Sequence, residues 1–475
     1  MRSQLKEECG VFGIFGNKEA ANLAYLGLHS LQHRGQESAG IVTSDGRRLY
    51  GKRAMGLVAD VFDEESLKDL PGTSAIGHVR YSTSGSSSAS NIQPIAITRA
   101  GSEMAVAHNG NLTNALTIRN QLEKDGAIFQ STTDTEVVVH LMARSKEPEM
   151  PQKIIYALSL CRGAYSIVFL DSKQLVAARD PYGFRPLVLG KAGDSYVVAS
   201  ETCAFGLINA TYVRDIEPGE IVVIDEKGIK SIKPFAPERP AACIFEYIYF
   251  SRPDSGMNGR NVYLVRKALG KQLAVEHPAD ADIVIPVPDS GVPAAMGYAE
   301  ETGIPYETGF LRSHYVGRTF IEPEQSIRNF GVKLKLSAIE QVITNKRVVV
   351  VDDSIVRGTT SRKIIKMVRD AGAKEIHMRV CSPPMRFSCY YGIDTPNKDE
   401  LIANSLDVDG IKNYITADSL GYLSKDGIDI AVQGLPREKG CTKQEGYCYA
   451  CFTGNYKVEV EDLSLSPAQM NLFAG

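Results

Sequence analysis

Three short segments of the chain carry residue types that suit acyl transfer from an amide. Cys9 begins the apolar segment CGVFGIFG, Arg80 lies in GHVRYSTSG, and Asn109 and Gly110 lie in AHNGN. A thiol is a nucleophile, a guanidinium binds a carboxylate through two parallel bonds, and an amide side chain with a backbone N–H forms an oxyanion hole. Asp134, in STTDTE, adds a carboxylate for a substrate ammonium group.

Cys9 needs a base, because a thiol with a pKa of about 8.5 is only slightly ionised at neutral pH. Removal of residues 1–8 would give Cys9 a free α-amine with a pKa of about 7.7–8.0, which is a proton acceptor on the same residue. These residues are short, polar and aperiodic, so we predict that they form a propeptide. The alternative is an inert buried cysteine beside a ragged N-terminus.

Each of the other segments has a simpler explanation when it is taken alone. The Asn109-Gly110 pair is typical of a tight hairpin turn, which is where we expect it. Thr133 and Asp134 are good helix caps, and Arg80 would suit an ordinary surface ion pair. Their joint occurrence with Cys9 nevertheless favours a catalytic site.

A second set of chemical groups lies in Val348–Ser361 (VVVVDDSIVRGTTS). The valines predict a buried strand that ends at Asp352 and Asp353, and ligands of open α/β sheets bind beyond the carboxyl ends of strands. The turn at Gly358–Ser361 opens a helix whose N–H groups and hydroxyls suit a phosphate. The acids can bind ribose hydroxyls or Mg²⁺. The alternative is an acidic turn with a helix cap and no ligand.

Cys448 and Cys451 form a C-x-x-C motif. Zinc sites, redox pairs and Fe–S clusters all use this spacing, and a site with four thiolates needs two further ligands. Thiolate ligands alone do not separate zinc from iron. The candidates for the remaining ligands are Cys243, Cys381 and Cys389.

The elements that must position these residues fall into two groups, separated by the proline-rich segment Lys233–Pro240 (KPFAPERP). Residues 9–235 contain short strands and glycine turns, interrupted by helical stretches at Ala20–Gln32 and Asp134–Ala143. This pattern predicts layered sheets covered by a few helices. Residues 241–475 alternate strand and helix, which predicts a parallel α/β sheet with an appended C-terminal lobe.

The composition excludes several classes of function. The 475 residues include 53 Lys+Arg and 56 Asp+Glu, for a net charge of -3, which argues against a nucleic-acid-binding protein. No apolar run is long enough to span a membrane, and residues 1–8 lack the apolar region of a secretory signal. We therefore expect a cytoplasmic protein without membrane or nucleic-acid partners.

Residues 9–235 resemble the N-terminal-nucleophile (Ntn) glutaminase domain of class II glutamine amidotransferases. The resemblance rests on the order of the four segments around Cys9, Arg80, Asn109 and Asp134, and on Ala177–Arg185 (AARDPYGFR). It implies an α+β fold, a four-layer αββα sandwich.

The same resemblance implies a role for each residue. Cys9 attacks the side-chain amide of glutamine, and its own α-amine relays the proton. Asn109 and Gly110 stabilise the oxyanion of the tetrahedral intermediate. Arg80 binds the carboxylate of glutamine and Asp134 binds its amine.

Residues 241–475 resemble type I phosphoribosyltransferases through Val348–Ser361 and Ile285–Gly291 (IPVPDSG). The resemblance implies an α/β domain in which Ser290 and the two acids bind Mg²⁺ and phosphoribosyl pyrophosphate (PRPP). It also favours a lid at His314–Ser337, for which a solvated surface loop is the alternative. The implied PRPP-binding residues are Asp352, Asp353, Ser354, Arg357, Gly358, Thr359, Thr360 and Ser361 of the loop, with Arg318, Lys333 and Lys335 of the lid.

The two halves together resemble the Fe–S-containing glutamine PRPP amidotransferases. This implies conversion of glutamine, PRPP and water to 5-phosphoribosylamine, glutamate and diphosphate, the first committed step of de novo purine synthesis. It further implies feedback inhibition by purine nucleotides and a homotetramer. Alternatives are another class II amidotransferase, a non-catalytic nucleotide sensor with both folds, and an Fe–S redox protein. The implied ligands of a [4Fe–4S] cluster, with zinc as the alternative, are Cys243, Cys389, Cys448 and Cys451, which leaves Cys381 and Cys441 free.

Overall fold

The computed structural model describes residues 9–81, 88–99, 102–312, 336–395, 397–437 and 446–464. The predicted propeptide, the lid residues Arg318, Lys333 and Lys335, and Cys441 lie outside this part. None of the helices it describes has the length and apolar character needed to cross a membrane.

Two antiparallel sheets form the centre of the N-terminal half. Their strand orders are β11-β9-β10-β1-β4-β2-β3 and β13-β12-β8-β7-β6-β5. The strands are β1 (Gly10–Phe15), β2 (Ser38–Ser44), β3 (Leu49–Met55), β4 (Ser74–Arg80), β5 (Ile95–Arg99), β6 (Ser102–Leu112), β7 (Gly163–Leu170), β8 (Gln174–Arg179), β9 (Val188–Ala192), β10 (Ser195–Ala199), β11 (Thr211–Asp215), β12 (Ile221–Asp225) and β13 (Gly228–Ile232).

Helices cover the outer faces of both sheets. They are α1 (Ala20–Ser30), α2 (Val58–Val61), α3 (Glu64–Lys68), α4 (Ala115–Lys124), α5 (Thr135–Arg144), α6 (Met150–Leu160) and α7 (Cys203–Gly206), with 3₁₀ turns at Gln32–Arg34 and Ala89–Asn91. Gln32, which we predicted to be in the first helix, lies in the following 3₁₀ turn.

Successive side chains of the central strands point to opposite faces, so each sheet contributes to two cores. In β1, Val11 packs between the sheets, whereas Phe12 packs against α1. In β7, Val168 packs between the sheets and Phe169 packs against the helices of the other side. This confirms the four-layer αββα sandwich.

The C-terminal half is built on a parallel sheet of order β17-β20-β21-β22. Val349 and Val351 face one core with helices α8 (Val262–Glu276) and α9 (Val292–Thr302). Val348 and Val350 face the other core with α11 (Thr359–Asp370) and α13 (Val408–Ile415). The run of valines is therefore buried on both faces, as predicted. The strands are β14 (Ala242–Cys243), β15 (Gly256–Met257), β16 (Arg260–Asn261), β17 (Ile283–Pro286), β18 (Phe310–Arg312), β19 (Leu336–Ala338), β20 (Arg347–Asp352), β21 (Glu375–Val380), β22 (Ser419–Tyr422) and β23 (Tyr447–Cys448).

The helices of this half follow the strands in alternation. They are α8 (Val262–Glu276), α9 (Val292–Thr302), α10 (Glu340–Ile343), α11 (Thr359–Asp370), α12 (Ile402–Ser405), α13 (Val408–Ile415), α14 (Lys425–Gln433) and α15 (Ala450–Thr453), with a π-helical turn at Glu246–Phe250 and 3₁₀ turns at Lys398–Glu400 and Glu461–Ser464. The parallel pairing of β14 with β23 ties the start of the C-terminal half to Tyr447–Cys448.

Candidate functional site

Cys9 lies immediately before β1 and is 7% exposed. Its thiol donates to the carbonyl oxygen of Tyr81 (3.6 Å), and Arg34 Nε donates to the Cys9 carbonyl oxygen (3.1 Å). Burial raises the pKa of the Cys9 thiol, although the nearby charge of Arg80 opposes this. The surroundings therefore do not make Cys9 a thiolate, and a base is needed.

Asn109 and Gly110 lie inside the long strand β6, so the prediction of a tight turn was wrong. Gly110 has a φ of 151°, and a Cβ there would lie 2.1 Å from the carbonyl oxygen of Ala164 in β7. The glycine thus permits close approach of two strands rather than a reversal of the chain. Asn109 Nδ2 donates to Ser200 Oγ (3.4 Å), which also accepts from Val11 N (2.9 Å), near Cys9.

Arg80 and Asp134 place opposite charges within electrostatic range of Cys9. Arg80 ends β4, as predicted, and its Nη1 lies 3.3 Å from Glu37 Oε1. Asp134 precedes α5, and its Oδ2 accepts from Leu112 N (2.9 Å). Burial alone would raise the pKa of Asp134, but His108 and the hydrogen bonds hold it below its usual value. A cation and an anion around a thiol complement a zwitterionic amino acid.

A buried ion network behind Cys9 was missed by the sequence reasoning. Arg34, 1% exposed, donates to Glu201 (2.5 Å) and, through both Nη atoms, to Glu246 (3.0 and 2.9 Å). Arg185 Nη2 also donates to Glu246 (2.5 Å). These partners come from distant segments, and nothing in the local sequence distinguishes them from surface charges.

Asp352 and Asp353 lie at the carboxyl end of β20, and Ser290, which follows the adjacent strand β17, donates to Asp353. Burial and the repulsion of Asp353 raise the pKa of Asp352 well above its usual value, and burial also raises that of Asp353. Ser354 donates to Asp353 as well. The structure thus brings the predicted acids and serine together.

The loop after the acid pair leads into α11 as predicted. Gly358 is the N-cap of this helix and has a φ of 72°, a conformation that favours glycine. Ser361 is buried and Thr359 is exposed, both in the first turn of the helix. Arg357 pairs with Glu400 (2.6 Å), so its contact with PRPP stays a prediction.

The four predicted cluster cysteines lie together. The pairing of β14 with β23 sets Cys243 beside Cys448, and the thiol of Cys451 interacts electrostatically with those of Cys243, Cys389 and Cys448. The Tyr391 N–H donates to Cys389 Sγ (3.3 Å). Cys381 is placed elsewhere: its N–H donates to the carbonyl oxygen of Asp352 (3.0 Å).

In the described ranges, three His, Cys, Asp or Glu ligand atoms lie within 4.8 Å of one another only at His33, Glu201 and Cys203. Glu201 already accepts from Arg34 (2.5 Å) and from Ser255 Oγ (2.6 Å). A cation there would repel the Arg34 guanidinium, so we interpret this group as a hydrogen-bonded hub. It follows that no three of the four cluster sulfurs meet this distance limit.

Comparisons with known proteins agree with the two halves. Residues 78–206 match the family model of a glutamine amidotransferase domain, and residues 261–383 match that of a phosphoribosyl transferase domain. The chain is 49% identical over 467 residues to the amidophosphoribosyltransferase of Bacillus subtilis, and the aligned region covers 98% of this chain and 97% of the relative. It is 54% identical over 462 residues to the chloroplastic amidophosphoribosyltransferase 1 of Arabidopsis thaliana, covering 97% of this chain and 80% of the relative.

Two solved structures are similar over nearly the whole chain. One is glutamine PRPP amidotransferase from B. subtilis complexed with ADP and GMP, with a TM-score of 0.89, 49% identity, and coverage of 95% of this chain and 98% of that chain. The other, described as the allosteric regulatory enzyme of purine biosynthesis, has a TM-score of 0.90, 50% identity, and coverage of 95% and 97%.

Proposed function

The chain belongs to the amidophosphoribosyltransferase family, and on that premise we propose that its two centres act in sequence. Cys9 releases ammonia from glutamine, and the centre at Asp352 and Asp353 joins this ammonia to PRPP. The observation that carries the proposal is the pair of opposite charges, Arg80 and Asp134, around a buried thiol.

In the first step, the α-amine of Cys9, free after loss of residues 1–8, accepts the thiol proton. The thiolate adds to the side-chain amide carbon of glutamine, and the negative oxygen is bound by Asn109 Nδ2 and the Gly110 N–H. The C–N bond then breaks, and ammonia leaves with the proton from the α-ammonium group. Water adds to the thioester, the C–S bond breaks, and glutamate is released.

In the second step, the nitrogen lone pair of ammonia forms a bond to the anomeric carbon of PRPP while the bond to diphosphate breaks. The nitrogen loses a proton, which gives 5-phosphoribosylamine. The N–H groups and hydroxyls at Gly358–Ser361 bind the 5-phosphate. Because ammonia in water is mostly protonated, we expect its passage between the centres to exclude water.

Asp352, Asp353 and Ser290 fit a Mg²⁺ site, because they offer the oxygen ligands that this ion prefers. The raised pKa of both acids supports this, since a like-charged buried pair is stabilised by a cation. When bound, Mg²⁺ would offset the charge of the leaving diphosphate. Arg318, Lys333 and Lys335 are proposed to contact the same group.

We further propose that Cys243, Cys389, Cys448 and Cys451 hold a [4Fe–4S] cluster. The proposal is supported by the pairing of β14 with β23, which sets Cys243 beside Cys448, and by the electrostatic interaction of Cys451 with Cys243, Cys389 and Cys448. The N–H of Tyr391 directed at Cys389 Sγ is a contact common around cluster sulfurs.

Regulation by purine nucleotides is also part of the proposal. Its support is that the B. subtilis structure contains ADP and GMP and that the other structure is described as an allosteric regulatory enzyme. A homotetramer and a cytoplasmic location stay predictions, and the Arabidopsis relative is chloroplastic.

The test is diphosphate release from PRPP with glutamine or with a high concentration of ammonium as the nitrogen source, in wild type and Cys9→Ala. We expect Cys9→Ala to lose the glutamine-dependent reaction and to keep the ammonia-dependent one, because only the first uses the thiol. Cys161→Ala, which removes a buried thiol from the core between the second sheet and its helices, is the control. Undiminished use of glutamine by Cys9→Ala would refute the mechanism.

A further inference from the structure

A carboxylate of the C-terminal half lies behind the nucleophile of the N-terminal half. Glu246 is 0% exposed and accepts from both Nη atoms of Arg34, at 3.0 and 2.9 Å. The Nε of the same guanidinium donates to the Cys9 carbonyl oxygen at 3.1 Å. One rigid planar group therefore joins Glu246 to the backbone of Cys9, and its orientation depends on both.

Glu246 and Glu201 are the carboxylates that offset the buried charge of Arg34. Burial alone would lower the pKa of Arg34, but Glu246 and Glu201 outweigh it, so the guanidinium stays charged. Burial alone would raise the pKa of Glu246, and the charges of Arg34 and Arg185 hold it down instead. Without the Glu246 charge, both Nη atoms of Arg34 lose this carboxylate while Glu201 still binds Nη1, so the guanidinium is no longer held in its place on the Cys9 carbonyl.

A second contact with the C-terminal half lies at the proposed oxyanion donor. Gly392 has a φ of 105°, and a Cβ there would lie 3.0 Å from both the Cα and the carbonyl carbon of Gly110. Beside it, Asn111 Nδ2 donates to the carbonyl oxygen of Tyr390 (3.0 Å). A methyl group at residue 392 would therefore press on the backbone that carries the Gly110 N–H.

We propose that Glu246 and Gly392 are positioning residues that the C-terminal half supplies to the glutaminase reaction. Glu246 holds Arg34 on the carbonyl of Cys9, which fixes the α-amine and the thiol relative to the substrate. Gly392 leaves room for Gly110 and so sets the place of its N–H. Misplacement by about 1 Å can cost about 100-fold in rate, so neither residue needs to touch glutamine to matter. The inference rests on the proposed function.

The test uses the full chain with Glu246→Gln and Gly392→Ala. Glu220→Gln is the control for the first, because Glu220 is a buried partner of Arg214 in the same kind of ion pair, remote from Cys9. Gly228→Ala is the control for the second, because Gly228 has a similar positive φ, 111°, but a Cβ there meets nothing within 4 Å. For each protein we would measure kcat and KM for glutamine hydrolysis, ammonia-dependent diphosphate release, and the thermal unfolding midpoint.

We expect both variants to lose about tenfold or more in kcat for glutamine, with KM and the ammonia-dependent rate within about twofold of wild type. Arg80 and Asp134 are untouched, which is why binding is retained. The rate of alkylation of Cys9 by iodoacetamide should have a shifted pH profile in Glu246→Gln and an unchanged one in Gly392→Ala, because only the first acts on the nucleophile.

Parallel loss of the glutamine and ammonia reactions, or an unchanged kcat for glutamine, would overturn the inference. If Glu246→Gln does not fold, Glu246→Asp and Gly392→Ala decide the matter with the same measurements. A wild-type protein that does not hydrolyse glutamine would instead refute the proposed function, so the two failures are distinguishable.

Discussion

The glutaminase centre and the acid pair differ in how their charges are balanced. Arg80 lies beside Glu37, and Asp134 lies 3.6 Å from His108 with its pKa held below the usual value. Asp352 and Asp353 instead repel each other, and the pKa of both is raised. The charges of the first centre are thus offset by the protein's own residues, whereas the second keeps a repulsion that the proposed Mg²⁺ would relieve.

The largest effect should come from Asp352→Asn. Both the glutamine- and the ammonia-dependent release of diphosphate should fall at least ~100-fold, because the proposed Mg²⁺ site serves the step that both reactions share. The same variant should be more stable in chelator by about 1 kcal/mol, because it removes a buried like-charge repulsion. Activity assays and urea unfolding measure the two effects, with Asp370→Asn on the surface of α11 as control. If Asp352→Asn kept its activity or became less stable, the two centres would not differ in the way that their charges suggest.

Arg80→Lys should affect the glutaminase centre alone. An ammonium group replaces two parallel bonds to a carboxylate with one, so KM for glutamine should rise roughly 10- to 100-fold. The ammonia-dependent rate should stay unchanged. Arg214→Lys, at the bidentate pair with Glu220, is the matched control. An unaltered KM would show that Arg80 does not bind the glutamine carboxylate.

Gly291→Ala should impair the second centre by geometry rather than charge. A Cβ there would lie 2.5 Å from the carbonyl oxygen of Val351, so the turn carrying Ser290 has to move away from Asp353. We expect diphosphate release to slow about tenfold with either nitrogen source, and the free energy of unfolding of the domain to fall by about 1–3 kcal/mol. Gly206→Ala is the control, because this glycine lacks a positive φ and a Cβ there meets nothing within 4 Å. Equal losses in both variants would contradict the assignment.

The smallest effect is the pH dependence of stability. An acid whose pKa is raised on folding binds its proton more tightly in the native state than in the unfolded chain, where its pKa is about 4. The free energy of unfolding therefore falls as the pH rises from about 4 through the raised pKa. In chelator, wild type and Asp352→Asn should therefore unfold at similar denaturant concentrations near pH 4, and the variant should be the more stable at pH 7–8. Added Mg²⁺ should reduce the difference. A difference independent of pH would mean that the pair does not titrate.

Local patterns in the sequence predicted much of the fold and part of the site. The valine run predicted the buried strand β20, and the acids that follow it predicted a site at the carboxyl end of that strand. Both predictions depend only on consecutive residues. The Asn109-Gly110 pair led to the wrong prediction of a turn, because the glycine is needed for the close approach of the backbone to Ala164. The pair of Arg34 and Glu246 spans 212 residues, and no local pattern encodes such a contact.

The most direct test concerns the base that activates Cys9. Since burial raises the pKa of this thiol, its own α-amine is the proposed proton acceptor, and that amine exists only after residues 1–8 are removed. Mass spectrometry of fully active protein should find Cys9 as the first residue, with glutamine-dependent activity proportional to the processed fraction. Full glutamine-dependent activity in protein that still begins at Met1 would contradict the account.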